Sequence, residues 1–262
     1  MLVDLHLPFV ADELERITAT VKAADINAVC LVGDGNLPTQ EDADAVASCG
    51  VIVFRGVKVS LGRGGVLVFP ADPNLEWPQF AAGAEDGVAV VKAAREAGFA
   101  VVACHPYDKS AGETLGDRVF QLGSADGVIV VSAGSSQTAN DLAMDTLGAL
   151  KATAAGGTGS NAAAGRASTL FATPFDSQER LVAELRSGDF WAVSVGADDR
   201  FSSEERSDNR GDSRRGGRGG RGREDRDGNR RGGNYRGGRS DSRDRGPDNR
   251  GNRAPRRGPR NQ

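Results

Sequence analysis

Short apolar segments alternate with longer amphipathic segments along the first 200 residues. The runs at 28–32, 99–104 and 127–131 are continuously apolar, which is typical of strands covered on both faces. The full set of predicted strands is 2–6, 28–32, 51–54 with 57–59, 66–69, 99–104, 127–131 and 191–195. Helices are predicted at 11–24, 41–47, 86–97, 138–154 and 178–186. This alternation predicts a mainly parallel α/β sheet or barrel, with its site at the C-terminal ends of the strands.

The pattern ends at about residue 200, where the composition changes. Residues 201–262 are nearly all Arg, Gly, Asp, Asn and Ser, with 19 Arg, no Lys and 10 acidic residues, a net charge of +9. Residues 1–200 carry 14 basic and 26 acidic residues, a net charge of −12. A segment with so few apolar side chains cannot offset the entropy of ordering its backbone. We therefore predict a folded domain at 1–198 and a disordered Arg/Gly-rich arm at 199–262.

The arm has the composition of an RNA-binding segment. It contains four Arg-Gly-Gly triplets, and guanidinium groups both contact phosphates and stack on bases. We predict binding of RNA or single-stranded nucleic acid with little sequence preference. The predicted contact residues are Arg215, Arg218, Arg221, Arg231, Tyr235, Arg236 and Arg239. Two alternatives stay open: a solubilising tail, or a protein-interaction scaffold in which the arm contacts acidic protein partners.

Three further observations place the chain in a broad class. The first residues lack the basic region of a signal peptide, and no apolar run reaches the roughly 18 residues that a membrane span needs. The three cysteines, Cys30, Cys49 and Cys104, are too few and too scattered for a disulfide framework. We expect a cytoplasmic protein with no membrane partner, in which the cysteines act as small buried apolar residues.

Five short motifs lie at or near the ends of predicted strands. Segments 4–8, 33–35, 56–59, 105–107 and 159–163 have the sequences DLHLP, GDG, GVKV, HPY and GSNAA. In this order they resemble the motifs of the PHP family (polymerase and histidinol phosphatase domain). The resemblance implies a distorted (βα)7 TIM-type barrel, here followed by the disordered arm. It also implies descent from phosphoesterases that use His, Asp and Glu residues to hold two or three divalent metals.

The chain departs from the family at several metal-binding positions. The residual PHP positions are Asp4, His6, Asp34, Lys58, His105 and Asn161. Lys58 stands where the family has a metal-bridging Glu, and Asn161 where it has Asp. His6 and His105 are the only two histidines of the chain. Because each metal must exchange most of its water shell for protein ligands, we predict a pseudoenzyme with no required cofactor, in which His6 and His105 would hold at most one divalent ion, weakly.

An enzymatic alternative also stays open. In it the chain is a metal-dependent phosphoesterase or nuclease with a reduced, one-metal site built on Asp4, His6, Asp34 and His105. This alternative predicts a bound divalent metal and loss of turnover when either histidine is removed.

The same strand ends allow a metal-free pocket. Replacing Glu by Lys58 would convert a cation site into an anion site, in which His6, Lys58 and His105 converge on a phosphate. Arg63 or Arg166 would join them from nearby loops. The competing interpretation is that Lys58 projects into solvent and the histidines are hydrogen-bonded remnants.

Overall fold

The computed structural model describes residues 1–74, 86–109 and 114–195, and these ranges contain nine strands and five α-helices. The strands are β1 (Leu2–Pro8), β2 (Ala28–Asp34), β3 (Ile52–Ser60), β4 (Gly65–Phe69), β5 (Ala100–Cys104), β6 (Gly127–Val131), β7 (Thr153–Gly156), β8 (Ala167–Phe171) and β9 (Phe190–Ser194). The helices are α1 (Leu14–Ala23), α2 (Gln40–Ala47), α3 (Gly87–Glu96), α4 (Gln137–Leu150) and α5 (Gln178–Ser187). The predicted arm, its seven contact residues and its boundary at 198/199 lie outside the described residues.

The described strands form one sheet in the order β7-β6-β5-β4-β3-β2-β1-β8-β9. Every neighbouring pair is parallel unless it includes β4 or β8, so seven strands run in one direction and these two run in the other. The outermost strands β7 and β9 lie beside each other, which nearly closes the sheet into a barrel. The predicted α/β barrel is thereby confirmed, with two reversed strands added to seven forward ones.

Alternate residues of the strands build the interior of the barrel. Val3 and Leu5 of β1, Cys30 of β2, Leu67 and Phe69 of β4 and their counterparts in the other strands form one buried cluster. Helix α5 adds Leu181, Val182 and Leu185 to this cluster, so α5 packs against the inner face rather than the outside. The apolar side of α5 is therefore explained by its contact with the inner face of the sheet.

The opposite faces of the strands pack against the remaining helices. Valines of β3 to β6 form a second cluster with Val90, Val91 and Ala94 of α3 and with Ala143 of α4. Leu7 and Leu31 form a third cluster with α1 and α2. Sheet residues buried on both faces account for the continuously apolar runs in the sequence.

Polar residues at the helix starts explain where the helices begin. Thr39 and Asp42 form a reciprocal capping box at the start of α2. Asp86 accepts hydrogen bonds from two backbone N–H groups of α3, and Ser136 and Ser177 cap α4 and α5 in the same way. These caps place the first turns of the helices close to the predicted boundaries.

The structure differs from the sequence prediction between β6 and β9. The predicted helix 138–154 ends at Leu150, and its last residues instead begin β7. Strand β8 is not among the predicted strands, because the two large apolar residues of its sequence ASTLF, Leu170 and Phe171, are adjacent and do not alternate with polar residues. Among the described residues, no helix is both long enough and apolar enough to cross a bilayer.

Candidate functional site at the barrel mouth

The forward strands bring their C-terminal ends to one side of the barrel. A cavity of about 490 Å³ lies there. Its chemically active side chains follow or end β1, β2, β3 and β5, as expected for an α/β barrel. They are His6, Asp34, Lys58, Cys104, His105 and Asp108.

An irregularity in β1 turns His6 toward this cavity. Regular alternation would place Leu5 and His6 on opposite faces of the sheet. Leu5 lies in the inner cluster, yet the ring of His6 also reaches Cys104, another member of that cluster. The pairing of β1 with β2 changes register between Asp4 and Leu7, and such an irregularity re-aims the side chain that follows it.

The two histidines and Cys104 form a compact polar cluster at the cavity wall. Nδ1 of His6 lies 2.6 Å from Nε2 of His105, and Sγ of Cys104 lies 3.6 Å from the same Nδ1. The ligand atoms of the three residues all lie within 4.8 Å of one another. Within the described part of the chain, Nδ1 of His105 is buried without a hydrogen-bond partner.

The backbone is adapted to this cluster at two points. His105 itself has a left-handed conformation with a φ of 39°, which is uncommon for a residue with a side chain. Gly159 has a φ of +69°, and a Cβ at this position would lie 2.7 Å from Nε2 of His105. The loop after β7 therefore requires glycine next to the histidine ring.

Burial keeps the cluster uncharged at neutral pH. It lowers the pKa of His6 well below the ordinary value, and the neighbouring His105 and Lys58 lower it further. Burial also lowers the pKa of His105 to about 4, although Asp108 opposes this change. The pKa of the Cys104 thiol rises to about 12, again chiefly because of burial.

Asp4 has a different role from the one that the one-metal alternative gives it. Its side chain is completely buried. Oδ1 accepts hydrogen bonds from the backbone N–H groups of His6 at 3.1 Å and Thr158 at 2.8 Å, and Oδ2 accepts one from Gly165 at 2.9 Å. Burial raises the pKa of Asp4, and these hydrogen bonds oppose the rise. Asp4 therefore holds β1 to the loop between β7 and β8 and does not line the cavity.

Asn161 also points away from the cavity. Its amide Nδ2 donates a hydrogen bond of 2.9 Å to Oε2 of Glu13, in the short 3-10 turn before α1. The hydrogen bond from Asn161 lowers the pKa of Glu13. The residue thus joins the loop after β7 to the segment after β1.

Lys58 and Asp34 occupy neighbouring positions in the pair of β2 and β3, and both line the cavity. Asp108 adds a second carboxylate to the wall. With neutral histidines, these charged groups sum to a slightly negative wall, which does not favour an anion. Arg63 and Arg166 line two other cavities, so the predicted convergence with the histidines is limited to Lys58.

These residues do not fit the two or three metal ions that the PHP resemblance implies. The oxygens of Asp4 are already engaged by backbone N–H groups, Asn161 contacts Glu13, and Lys58 brings a cation into the cavity. What remains in the described part of the mouth is one cluster of two imidazoles and a thiol, flanked by two carboxylates. Such a set suits one ion at most.

Cys104 is the site residue that the sequence reasoning missed. Its predicted burial is confirmed, but its sulfur lies beside a histidine ring rather than among apolar groups alone. The sequence does contain a signal for this role, because Cys104 is the last residue of an apolar strand and immediately precedes His105. Cys104 also lies two residues after Val102, so both side chains face the interior of the barrel.

Comparisons with known proteins support the fold. No protein-family model and no curated protein sequence matches the chain. The crystal structure of PsfC from Pseudomonas syringae is similar, with a TM-score of 0.53 and 16% identity over 74% of this chain and 91% of that one. A protein from Bifidobacterium adolescentis assigned as a metal-dependent phosphoesterase gives a TM-score of 0.45 and 12% identity, over 61% of this chain and 87% of that one. At this level of identity the likeness to PsfC concerns the fold alone.

Proposed function

We propose that this chain is a PHP-like barrel without phosphoesterase activity that carries an RNA-binding Arg/Gly-rich arm. The observation that carries the first half is the place of Lys58, a cation on the cavity wall at the position where the PHP resemblance implies a metal-bridging Glu. A cation there opposes the binding of divalent metals, and the carboxylate of Asp4 is held by three backbone N–H groups of the barrel itself.

The chemistry of the mouth agrees with loss of the hydrolase centre. Hydrolysis of a phosphate ester by a metal cluster needs several anionic ligands and a surplus of positive charge over the substrate. Here Lys58 contributes a positive charge to the cavity wall, but Asp34 and Asp108 on the same wall would repel a phosphate dianion. The barrel therefore serves as a folded partner of the arm rather than as its catalytic domain.

The charge distribution supports an RNA contact by the arm rather than by the barrel. Residues 1–200 carry a net charge of −12, whereas residues 201–262 carry a net charge of +9, and all the basic residues of this second segment are arginines. A strongly negative body repels the phosphate backbone, so attraction must come from the arm. Arginine adds stacking on bases, which lysine does not supply to the same extent.

The test is RNA binding by the full chain over a series of salt concentrations. Three proteins are compared: the unchanged chain, a chain in which six arm arginines become Gln, and a chain in which the same six become Lys. The six are Arg215, Arg218, Arg221, Arg231, Arg236 and Arg239. Each arginine on a phosphate contributes roughly 0.7 to the slope of log affinity against log salt, so the Gln variant should lose up to about 4.

The Lys variant separates charge from stacking. It should keep most of the salt slope and lose affinity, because the ammonium group retains the charge but not the planar guanidinium. The matched control replaces Arg63, Arg118 and Arg166 of the barrel with Gln, and it should leave the slope unchanged. Equal affinities of the unchanged chain and the arm Gln variant would contradict the proposed RNA function.

A second candidate function is a one-metal phosphoesterase. The observation that favours it is the convergence of His6, Cys104 and His105 within 4.8 Å beside a cavity large enough for a small substrate. It is tested by turnover of a chromogenic phosphate monoester and diester after addition of Mn²⁺, Zn²⁺ or Fe²⁺. Turnover that disappears in a folded His105→Ala variant would establish this candidate and refute the pseudoenzyme.

A further inference from the structure

We propose that the barrel mouth binds a single thiophilic divalent ion, of which Zn²⁺ is the natural example, through His6, Cys104 and His105. The sulfur ligand makes this a different site from the oxygen- and nitrogen-rich cluster that the PHP resemblance implies. The proposal stands independently of the RNA-binding arm, because it uses only side chains of the barrel mouth.

One distance within the cluster already matches tetrahedral coordination, and the three ligand atoms together lie within 4.8 Å of one another. With Zn–N bonds of about 2.0–2.1 Å and a Zn–S bond of about 2.3 Å, nitrogen and sulfur ligands lie about 3.6 Å apart in a tetrahedron. The distance from Cys104 Sγ to His6 Nδ1 is 3.6 Å. The two imidazole nitrogens lie 2.6 Å apart, at hydrogen-bond distance, and an ion that replaced this hydrogen bond would need them about 0.7 Å farther apart.

The surrounding backbone holds both rings in this arrangement at a cost. The register change in β1 turns His6 inward, and His105 adopts a left-handed backbone conformation. Gly159 leaves room for the His105 ring that a side chain would fill. Strained or irregular backbone at three neighbouring positions points to a functional constraint on the cluster.

A purely structural hydrogen bond between the histidines explains the cluster less well. Such a bond joins Nδ1 of His6 to Nε2 of His105 and does not account for the Cys104 sulfur, which lies 3.6 Å from the same Nδ1. A structural histidine pair also has no need of a neighbouring thiol. A bound metal ion would account for the convergence of all three side chains.

The donor set defines the class of metal. Two imidazoles and one thiolate select Zn²⁺ and similar ions over Mg²⁺ or Ca²⁺, which prefer oxygen ligands. Coordination through sulfur requires the thiol to lose its proton to solvent as the metal binds. Asp34 and Asp108 on the cavity wall offset the added positive charge.

The experiment uses Co²⁺ as a spectroscopic substitute for Zn²⁺ in the full chain, purified without a histidine tag and treated with a chelator. The unchanged protein should bind one Co²⁺ per chain and show sulfur-to-cobalt charge-transfer absorption in the near ultraviolet. Zn²⁺ should abolish this absorption by displacing Co²⁺ and should raise the melting temperature. Because the chain contains two histidines, both at the mouth, their NMR signals report the same site directly.

Two variants and one control assign the ligands. Cys104→Ser should remove the charge-transfer band, and His105→Gln should weaken Co²⁺ binding by at least about 100-fold, since even loss of an outer partner costs about 10–100-fold. Cys49→Ser is the matched control, because Cys49 is a half-buried thiol on another element, and it should change nothing.

The spectrum of the unchanged protein decides the matter even if a variant fails to fold. Absence of the charge-transfer band in the unchanged chain would overturn the proposal. A band that persists in a folded Cys104→Ser variant would overturn it equally. Either result is independent of RNA affinity, which is measured separately.

Discussion

Replacing Asp4 with Asn should destabilise the barrel although the residue does not line the cavity. The change keeps the size of the side chain and leaves Oδ1 free to accept from His6 and Thr158. It replaces Oδ2, which accepts from the backbone N–H of Gly165 at 2.9 Å, with an NH₂ group. Two donors then face each other in a fully buried position.

The expected destabilisation follows from these contacts. A hydrogen bond to a charged group contributes about 1.5–3 kcal/mol, and a buried donor without a partner costs about 1–3 kcal/mol. Asp4→Asn should therefore lower the free energy of unfolding by about 2–4 kcal/mol. For a domain of this size, the melting temperature should fall by roughly 10 °C. Asp4→Ala removes the acceptor for all three N–H groups and should cost more.

The assay is urea denaturation of the full chain at pH 7, followed by far-ultraviolet circular dichroism, with thermal melting as a second measurement. Asp34→Asn is the matched control: it changes the other Asp of the retained motifs, but Asp34 is exposed at the end of β2. An exposed substitution of this kind should stay within about 0.5 kcal/mol.

The reasoning fails if Asp4→Asn and Asp34→Asn have the same stability. It also fails if Asp4→Asn leaves stability unchanged but abolishes metal binding, because Asp4 would then be a ligand rather than a structural residue.

Three further substitutions test other parts of the structure. In urea denaturation, Gly159→Ala should lower the free energy of unfolding by about 1–3 kcal/mol, because the added Cβ would contact the His105 ring and the φ of Gly159 is +69°. The control is Gly134→Ala, where the atom nearest to an added Cβ is 4.0 Å away, and it should leave stability unchanged. The pKa of His105 is lowered from the ordinary value of 6.5 to about 4 in the folded protein. Above pH 6.5 this difference has no effect on stability, but as the pH falls from 6.5 toward 4 the unfolded chain takes up a proton that folded His105 does not. The free energy of unfolding should therefore fall by about 3 kcal/mol over this range. Urea titrations at pH 7 and pH 4.5 should show a smaller difference in His105→Gln than in the unchanged protein, and an equal difference would contradict the assigned pKa. Gln178→Ala should cost about 1–3 kcal/mol by thermal melting, because the Gln178 amide bonds both the N–H and the C=O of Arg55 at 3.0 and 2.8 Å; an unchanged melting temperature would show that water replaces these bonds.

Much of the barrel was predictable from local pattern. Apolar runs of strand length and the periodicity of amphipathic segments are properties of neighbouring residues, so the five helices and most of the strands are predicted from them. Strand β7 and strand β8 were missed because alanine-rich and small-residue segments have weak periodicity. The reversal of β4 follows from a short turn after β3, in which Gly62 and Gly64 have positive φ, whereas that of β8 depends on pairing with β1, far away in sequence.

The residues of the candidate site were likewise predictable only in part. The resemblance to PHP motifs selected His6 and His105, and the position of these motifs at strand ends predicted that the two residues meet, because the ends of forward strands lie at one side of an α/β barrel. The roles of Asp4 and Cys104 were beyond the reach of motif comparison. Asp4 has a structural role because it accepts hydrogen bonds from backbone N–H groups more than 150 residues away in the sequence. Cys104 lies beside the histidines because an irregularity in β1 turns His6 inward.

The sequence by itself therefore determined most of the elements and the division between an acidic body and a basic arm, because composition and periodicity are local quantities. The family resemblance added the two histidines at strand ends. Only the tertiary structure decided which side chains face one another across the mouth. That decision depends on strand register, on a left-handed residue at His105 and on the space left by Gly159, and these features arise when distant segments pack together.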